Sequence, residues 1–164
     1  MNTDPDPNPE SGTEQGPALN INARGPIARD HARRYIESDG ADGFVDDQGR
    51  PCLLLTTRGR VSGEPRRNVL LYGREGDSFV VVASRGGDVN HPHWYLNLVA
   101  DPAVHVQVGT DRFVAQARTV TGAERDRLWT QMTSIMPQYD DFQAKAGRVI
   151  PVVVLDPQPT DRVD

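Results

Sequence analysis

The chain reads as a single α+β domain, a six-stranded, mainly antiparallel barrel with helices packed at its periphery. Three observations predict it. The length, 164 residues, fits one domain. Short apolar stretches rich in Val and Leu recur between Gly-, Pro- and Asp-containing turns. Most successive stretches follow one another with no helix between them, which argues against a doubly wound parallel sheet.

The elements follow in order. Pro26 suits a first helical turn, and Ile27, Ala28, His31, Tyr35 and Ile36 mark an amphipathic face that Asp39-Gly40 ends. Residues 40–49 form a polar loop. Residues 51–57 (PCLLLTT) are a buried strand, 58–63 a turn, 65–72 (PRRNVLLY) a second strand, 73–77 a second turn, and 78–84 (SFVVVAS) a third strand. The short turns predict a meander of these three strands. A helix over 92–100 follows, with Trp94, Tyr95, Leu98 and Val99 at helical spacing. Residues 104–108 and 112–120 alternate as half-wet strands. Thr121 and Glu124 have the spacing of a capping box and open a helix to about 136. Pro137 interrupts it, a second helix spans 139–146, and 150–155 is the last strand.

The formal charge is −5, from 18 Lys+Arg against 23 Asp+Glu. This argues against general affinity for nucleic acid or an anionic membrane. The excess is local: Asp4, Asp6, Glu10 and Glu14 precede the first cation, Arg24, and without them 19 acids face 18 cations. Residues 1–23, with Pro5, Pro7, Pro9 and Pro17, are expected to be a disordered acidic tail. The folded domain is expected over 24–158, with a short tail at 159–164. Cys52 alone permits no intramolecular disulfide or Cys-cluster metal site; it reads as a small buried hydrophobe. No apolar run reaches membrane-spanning length, no secretory signal opens the chain, and a cytoplasmic location is expected. Monomer and homodimer both remain open.

Four segments can carry chemistry. Between Arg58 and Arg74 lie five of the 17 arginines. Arg58, Arg60, Arg66 and Arg67, with Ser62 and Gly63, face one acid, Glu64. Turn amides and guanidinium forks suit a phosphate, although a solvated hairpin turn has the same composition. No Walker lysine is present. In Ala83-Ser84-Arg85-Gly86-Gly87 a strand ends at a cation and two glycines, which permits close approach of a ligand. His91 and His93 stand two apart, so they do not share a helix face and no metal is expected. Met136, Tyr139 and Phe142 recur at a spacing of three, as core or as an apolar lid over a flat ligand.

Together these segments resemble the deazaflavin-dependent (coenzyme F420) nitroreductase family. The matching stretches are LLLTTRGRVSGEPRRN at 53–68, VVVASRGG at 80–87, HPHWYLNLVADP at 91–102, VQVG at 106–109 and IPVVVLDP at 150–157. The resemblance implies a split β-barrel of the FMN-binding type. It implies a reductase that passes hydride from reduced coenzyme F420 to a quinone, enone or nitro compound. By position, Arg58, Arg60, Ser62, Gly63, Arg66 and Arg67 fall at the phosphate. Arg85 falls near the coenzyme's acidic tail, and Gly86, Gly87 and Trp94 in its pocket wall. Ser84 matches a serine facing substrate and ring, and the proton donor is Tyr139 or solvent. Leu71, Met136, Tyr139 and Phe142 form the substrate pocket. Val61 stands where the family usually has a cation. Members that reduce bicyclic nitroimidazoles carry three tyrosines where this chain has Met136, Tyr139 and Phe142, so a more apolar pocket is implied. FMN binding on the same fold and a non-catalytic module for a phosphorylated deazaflavin or flavin are the alternatives.

Overall fold

The computed structural model describes residues 19–159. Four helices and seven strands occur among them. Helix α1 (Pro26–Glu37) precedes β1 (Cys52–Arg58), β2 (Pro65–Leu71), β3 (Gly73–Glu75) and β4 (Ser78–Val82). A single 3-10 turn (Arg85–Gly87) leads to α2 (His93–Ala100), β5 (Ala103–Val108) and β6 (Asp111–Thr119). Then come α3 (Gly122–Ile135), α4 (Gln138–Ala146) and β7 (Val152–Pro157).

All seven strands join one sheet in the order β2-β1-β5-β6-β7-β4-β3, and every strand pair within it is antiparallel. The edge strands β2 and β3 are separated in the chain by Tyr72 alone. Consecutive Cα atoms are about 3.8 Å apart, so the two edges must lie side by side and the sheet must curl. The result is a curled antiparallel α+β fold.

The count is seven strands, not six. Residues 73–77, expected as a turn, contain β3, which pairs Gly73 with Val80 and Glu75 with Ser78. Gly76, at φ 60°, supplies the left-handed residue of the tight turn. The expected three-strand meander is also corrected. β1 and β2 form a hairpin, but β4 pairs with β3 and β7. The chain turns a corner at Tyr72 and leaves the edge beside β1.

Alternation on β4 and β7 explains how both faces of the sheet are covered. Phe79, Val81, Val153 and Leu155 point into the curl, where α2 adds Trp94 and Leu98. Val80, Val82, Val152 and Val154 point outward, under Leu128 and Met132 of α3 and Tyr139 of α4. Helix α1 is held by Tyr35. Its hydroxyl lies 3.1 Å from both Cys52 O and Gln107 O and accepts from Gly109 N–H at 2.9 Å. Burial pushes this phenol up to about 12. Burial likewise pushes the Cys52 thiol up to about 12, as befits a packed, unreactive sulfur.

Smaller expectations are corrected too. Ile27 is 85% exposed and Ala28 is exposed, because α1 rests on Ala32 and Tyr35 instead. Thr121 precedes α3 without a side-chain cap, and the Glu124 carboxylate, the other half of the expected box, instead pairs with Arg118 at 3.2 Å. Of the expected disordered tail, residues 1–18 lie outside the described residues. Residues 19–23 are seated on the fold: Ile21 is 3% exposed and bridges in parallel to Arg67. Asn22 N–H donates to Arg67 O, and Arg67 N–H to Asn20 O, each at 2.8 Å. An edge strand offers unpaired backbone groups, and this segment takes them.

Candidate active site

Two adjacent concavities hold most of the residues singled out above. The larger is a cleft of about 740 Å³. Its walls come from the β2 edge (Asn68 to Leu71), the end of β4 and its turn (Val82, Ser84, Arg85, Gly86), and the start of α2 (His93, Trp94). The α3–α4 corner adds Met136, Tyr139 and Phe142, and the segment Asn22–Arg24 closes one side. The second is a shallower hollow of about 480 Å³ over the β1–β2 turn, lined by Arg58, Gly59, Arg60, Val61, Ser62, Gly63, Ala100 and Asp101.

His93 links the two. It lines the cleft, and its carbonyl and Nδ1 lie 3.5 and 3.3 Å from the guanidinium of Arg60, which lines the hollow. Arg60 is fixed further by Asn97, whose Oδ1 accepts from the Arg60 guanidinium at 2.7 Å and from its backbone N–H at 3.2 Å. Asn97 in turn donates to Thr57 Oγ1 at 3.1 Å. It is 2% exposed, so one buried amide joins α2, β1 and the basic turn. Sequence reasoning missed it. The available signal was a polar residue on the apolar face shared with Trp94 and Leu98.

The turn is shaped to receive an anion. Gly63 has φ 78°, and Ser62 Oγ accepts from Glu64 N–H at 3.1 Å and from the Arg66 guanidinium at 3.0 Å. Neither Arg58 nor Arg60 has an acidic partner among the described residues. Asp101 brings the only carboxylate to the lining, and it accepts from Ala103 N–H. Val61 is 88% exposed, so the position where the family usually has a cation opens to solvent.

The cleft is apolar with a few polar atoms left available. Neither Ser84 Oγ nor the Tyr139 hydroxyl has a hydrogen-bond partner among the described residues, although both residues are buried. Burial pushes the Tyr139 phenol far above its ordinary range, so it keeps its proton. Asn68 donates through Nδ2 to Asn22 O at 2.5 Å, while its buried Oδ1 has no partner among the described residues. Such an acceptor is costly unless a ligand satisfies it.

Three of the predicted residues line neither concavity. Arg66 stands beside the hollow, bonded to Ser62 Oγ. Arg67 pairs across β1 with Thr56 and lines a third concavity, of about 440 Å³, with Leu54 and His105. Strand alternation puts it on the face opposite Arg66. Its Nε donates to Leu19 O at 2.8 Å, and burial lowers its pKa. Gly87 does not line the cleft. A Cβ there would lie 3.1 Å from the Phe142 backbone, so this glycine lets α4 pack on the turn.

Residues 27–157 match the family model described as F420H(2)-dependent quinone reductase. An F420H(2)-dependent quinone reductase of Mycobacterium tuberculosis is 39% identical over 132 residues, 79% of this chain and 89% of that protein. A solved F420-H2 dependent reductase, FDR-A, is 39% identical with a TM-score of 0.61, over 65% of this chain and 95% of its own. A heme storage protein of Vibrio cholerae, HutZ, shares the fold alone, at 17% identity and a TM-score of 0.53 over 76% of this chain and 89% of its own.

Proposed function

The chain belongs to the F420H(2)-dependent quinone reductase family, and from that premise we propose that it reduces a quinone held in the 740 Å³ cleft. The observation that carries this reading is that an apolar cleft adjoins a basic hollow at the His93–Arg60 contact. A flat ring with a phosphate-bearing side chain needs both. Coenzyme F420 fits the residues present. Asn68 Oδ1 offers an unsatisfied acceptor to an N–H at the ring edge, and the curled sheet is read as a split β-barrel of the flavin-binding type.

Bound there, the reduced deazaflavin supplies a hydride. The protein supplies position and electrostatics. Arg58, Arg60 and Arg66, with Ser62 and the Gly63 amide, hold the phosphate, and Asn97 keeps Arg60 aimed at it. Arg85 stands near the acidic tail. Leu71, Trp94, Met136 and Phe142 exclude water and stack the reactants, and Gly86 lets the backbone come close. Holding reactants in register is worth up to about 7–11 kcal/mol. Ser84 Oγ donates to the quinone oxygen as negative charge grows on it. Tyr139, neutral and without a hydrogen-bond partner among the described residues, relays a solvent proton to the quinol oxygen: it gives its own and takes one back from solvent, because burial disfavours the phenolate. With Met136 and Phe142 in place of phenols, the cleft favours an apolar quinone over a nitroimidazole.

Titration with reduced coenzyme, following deazaflavin absorbance with and without menadione, tests the proposal. The expected result is binding at micromolar levels and menadione-dependent oxidation. No binding would overturn it. Arg60→Ala and Arg66→Ala should each weaken binding about tenfold or more, since a hydrogen bond to a charged group is worth about 1.5–3 kcal/mol. Arg112→Ala should not, because Arg112 is paired with Asp39 away from the hollow. Equal losses from all three would remove the phosphate from the β1–β2 turn.

A further inference from the structure

The turn that carries Ser84 and Arg85 is held in an unfavourable backbone shape from outside itself. Arg85, Gly86 and Gly87 have φ of 48°, 65° and 87°, three left-handed residues in succession. Glycine accepts this; an arginine there is strained and persists only when its surroundings enforce it. Within the turn there are two backbone bonds, Gly87 N–H to Ser84 O at 2.9 Å and Asp88 N–H to Arg85 O at 3.1 Å.

The enforcing group is Arg148, from the loop between α4 and β7. Its Nε donates to Asp88 O at 2.9 Å. One terminal nitrogen lies 3.0 Å from His91 Nδ1 and 3.4 Å from Ala83 O. The other donates to Ser84 O at 3.0 Å and lies 3.4 Å from Ala83 O. One guanidinium thus addresses four acceptors spread over residues 83–91. Arginine has only donors, so His91 must present a lone pair at Nδ1 and carry its proton on Nε2. His91 O also accepts from the Arg85 guanidinium at 3.2 Å.

We propose that Arg148 is a positioning residue for the Ser84–Arg85 turn and that neutral His91 completes its hold, so that protonating His91 loosens the turn. The inference rests on the functional reading above only in what the turn is for.

A proton on Nδ1 would set a donor against a donor and a second cation against Arg148. The surroundings offer little relief. Arg85 approaches from the turn, and Lys145 of α4 lies 3.5 Å from Gly86 O. From α2, His93 is two residues away and Tyr95 meets the imidazole ring at 4.9 Å. The carboxylate of Asp88, whose carbonyl Arg148 also holds, is engaged by Asn90 N–H at 2.8 Å and by Arg24 at 3.5 Å. Burial, and then Arg148, lower the His91 pKa from 6.5. A lowered folded pKa means that the neutral hold is fully present above about 6.5 and is lost as pH falls through the folded value.

The test is made first without coenzyme. In the wild-type protein the backbone amide NMR signals of Gly86 and Gly87 should move as pH falls from about 7.5 to about 5. In His91→Asn, whose amide oxygen can replace Nδ1 as acceptor, they should stay. Arg148→Met should displace them at every pH and leave Gly59 and Gly63 unmoved. Coenzyme binding should weaken about tenfold or more in Arg148→Met, and by less in Arg148→Lys, which keeps the charge on a single nitrogen. If Arg148→Met fails to fold, Arg148→Lys and His91→Asn carry both arms. Signals that titrate in His91→Asn as in wild type would overturn the role of His91. Signals unmoved in the Arg148 variants, with affinity within about twofold of wild type, would overturn that of Arg148. Wild-type protein that shows the shifts but binds no coenzyme would sink the functional reading and leave the hold standing.

Discussion

A phenol 4% exposed with no hydrogen-bond partner among the described residues, as at Tyr139, is a poor investment for stability alone. The hydroxyl faces the cleft and makes no bond within the described residues whose loss would cost stability, so Tyr139→Phe should melt at about the wild-type temperature. A proton donor contributes about 10²–10⁴-fold, so the same variant should lose about 10²-fold in kcat with menadione. Thermal melting and steady-state kinetics check the two signs together. A fall in melting temperature with kcat intact would make the tyrosine structural. Residues such as Tyr139, Ser84 and Arg60 were legible because they stand in recognisable segments. Asn97, Asn68 and Arg148 were not. Arg60 meets Asn97 across 37 residues and Arg148 meets His91 across 57, and local pattern carries no trace of such meetings.

Elements were legible where their period was long enough to register. Helices α2, α3 and α4 and the long strands fall within about two residues of their expected bounds, but β3 has three residues, two fewer than the next shortest strand. A Gly-Arg-Glu stretch shows no alternation, so it reads as turn, and the corner at Tyr72 goes unseen with it. The end of α1 shows the reverse case. Asp39-Gly40 was legible as a stop, and the structure adds why glycine is needed. Gly40 has φ 88°, and a Cβ on it would lie 1.8 Å from Gly109 O in the β5–β6 turn. Both partners are backbone, so no rotamer change relieves the clash. Gly40→Ala should therefore destabilise the fold by on the order of 3 kcal/mol or more. Gly25→Ala, with nothing within 4 Å of the added methyl, should cost less despite its φ of 88°. Denaturant unfolding of the pair measures the difference, and equal losses would mean that conformation, not contact, sets the cost at Gly40.

At the scale of the whole molecule, curling the sheet brings the β1–β2 turn, the end of β4 and the α3–α4 corner around one pair of concavities. The sequence order scatters these over some ninety residues, so the motifs could be named before their arrangement could. The arrangement also decides how net charge should be read. A formal −5 predicts repulsion of an anionic coenzyme, and salt would then tighten binding by screening it. Yet four of the acids precede residue 18, while Arg58 and Arg60 stand exposed in the hollow without acidic partners among the described residues. The Debye length is about 10 Å at 0.1 M salt, so at working ionic strength a phosphate in the hollow feels those guanidinium groups before it feels the rest of the chain. The expectation is that raising NaCl from about 0.05 to about 0.5 M weakens coenzyme binding several-fold, and that Arg60→Ala flattens the dependence. Binding that tightens with salt would mean that the net charge governs approach, and that the basic turn contributes shape rather than field.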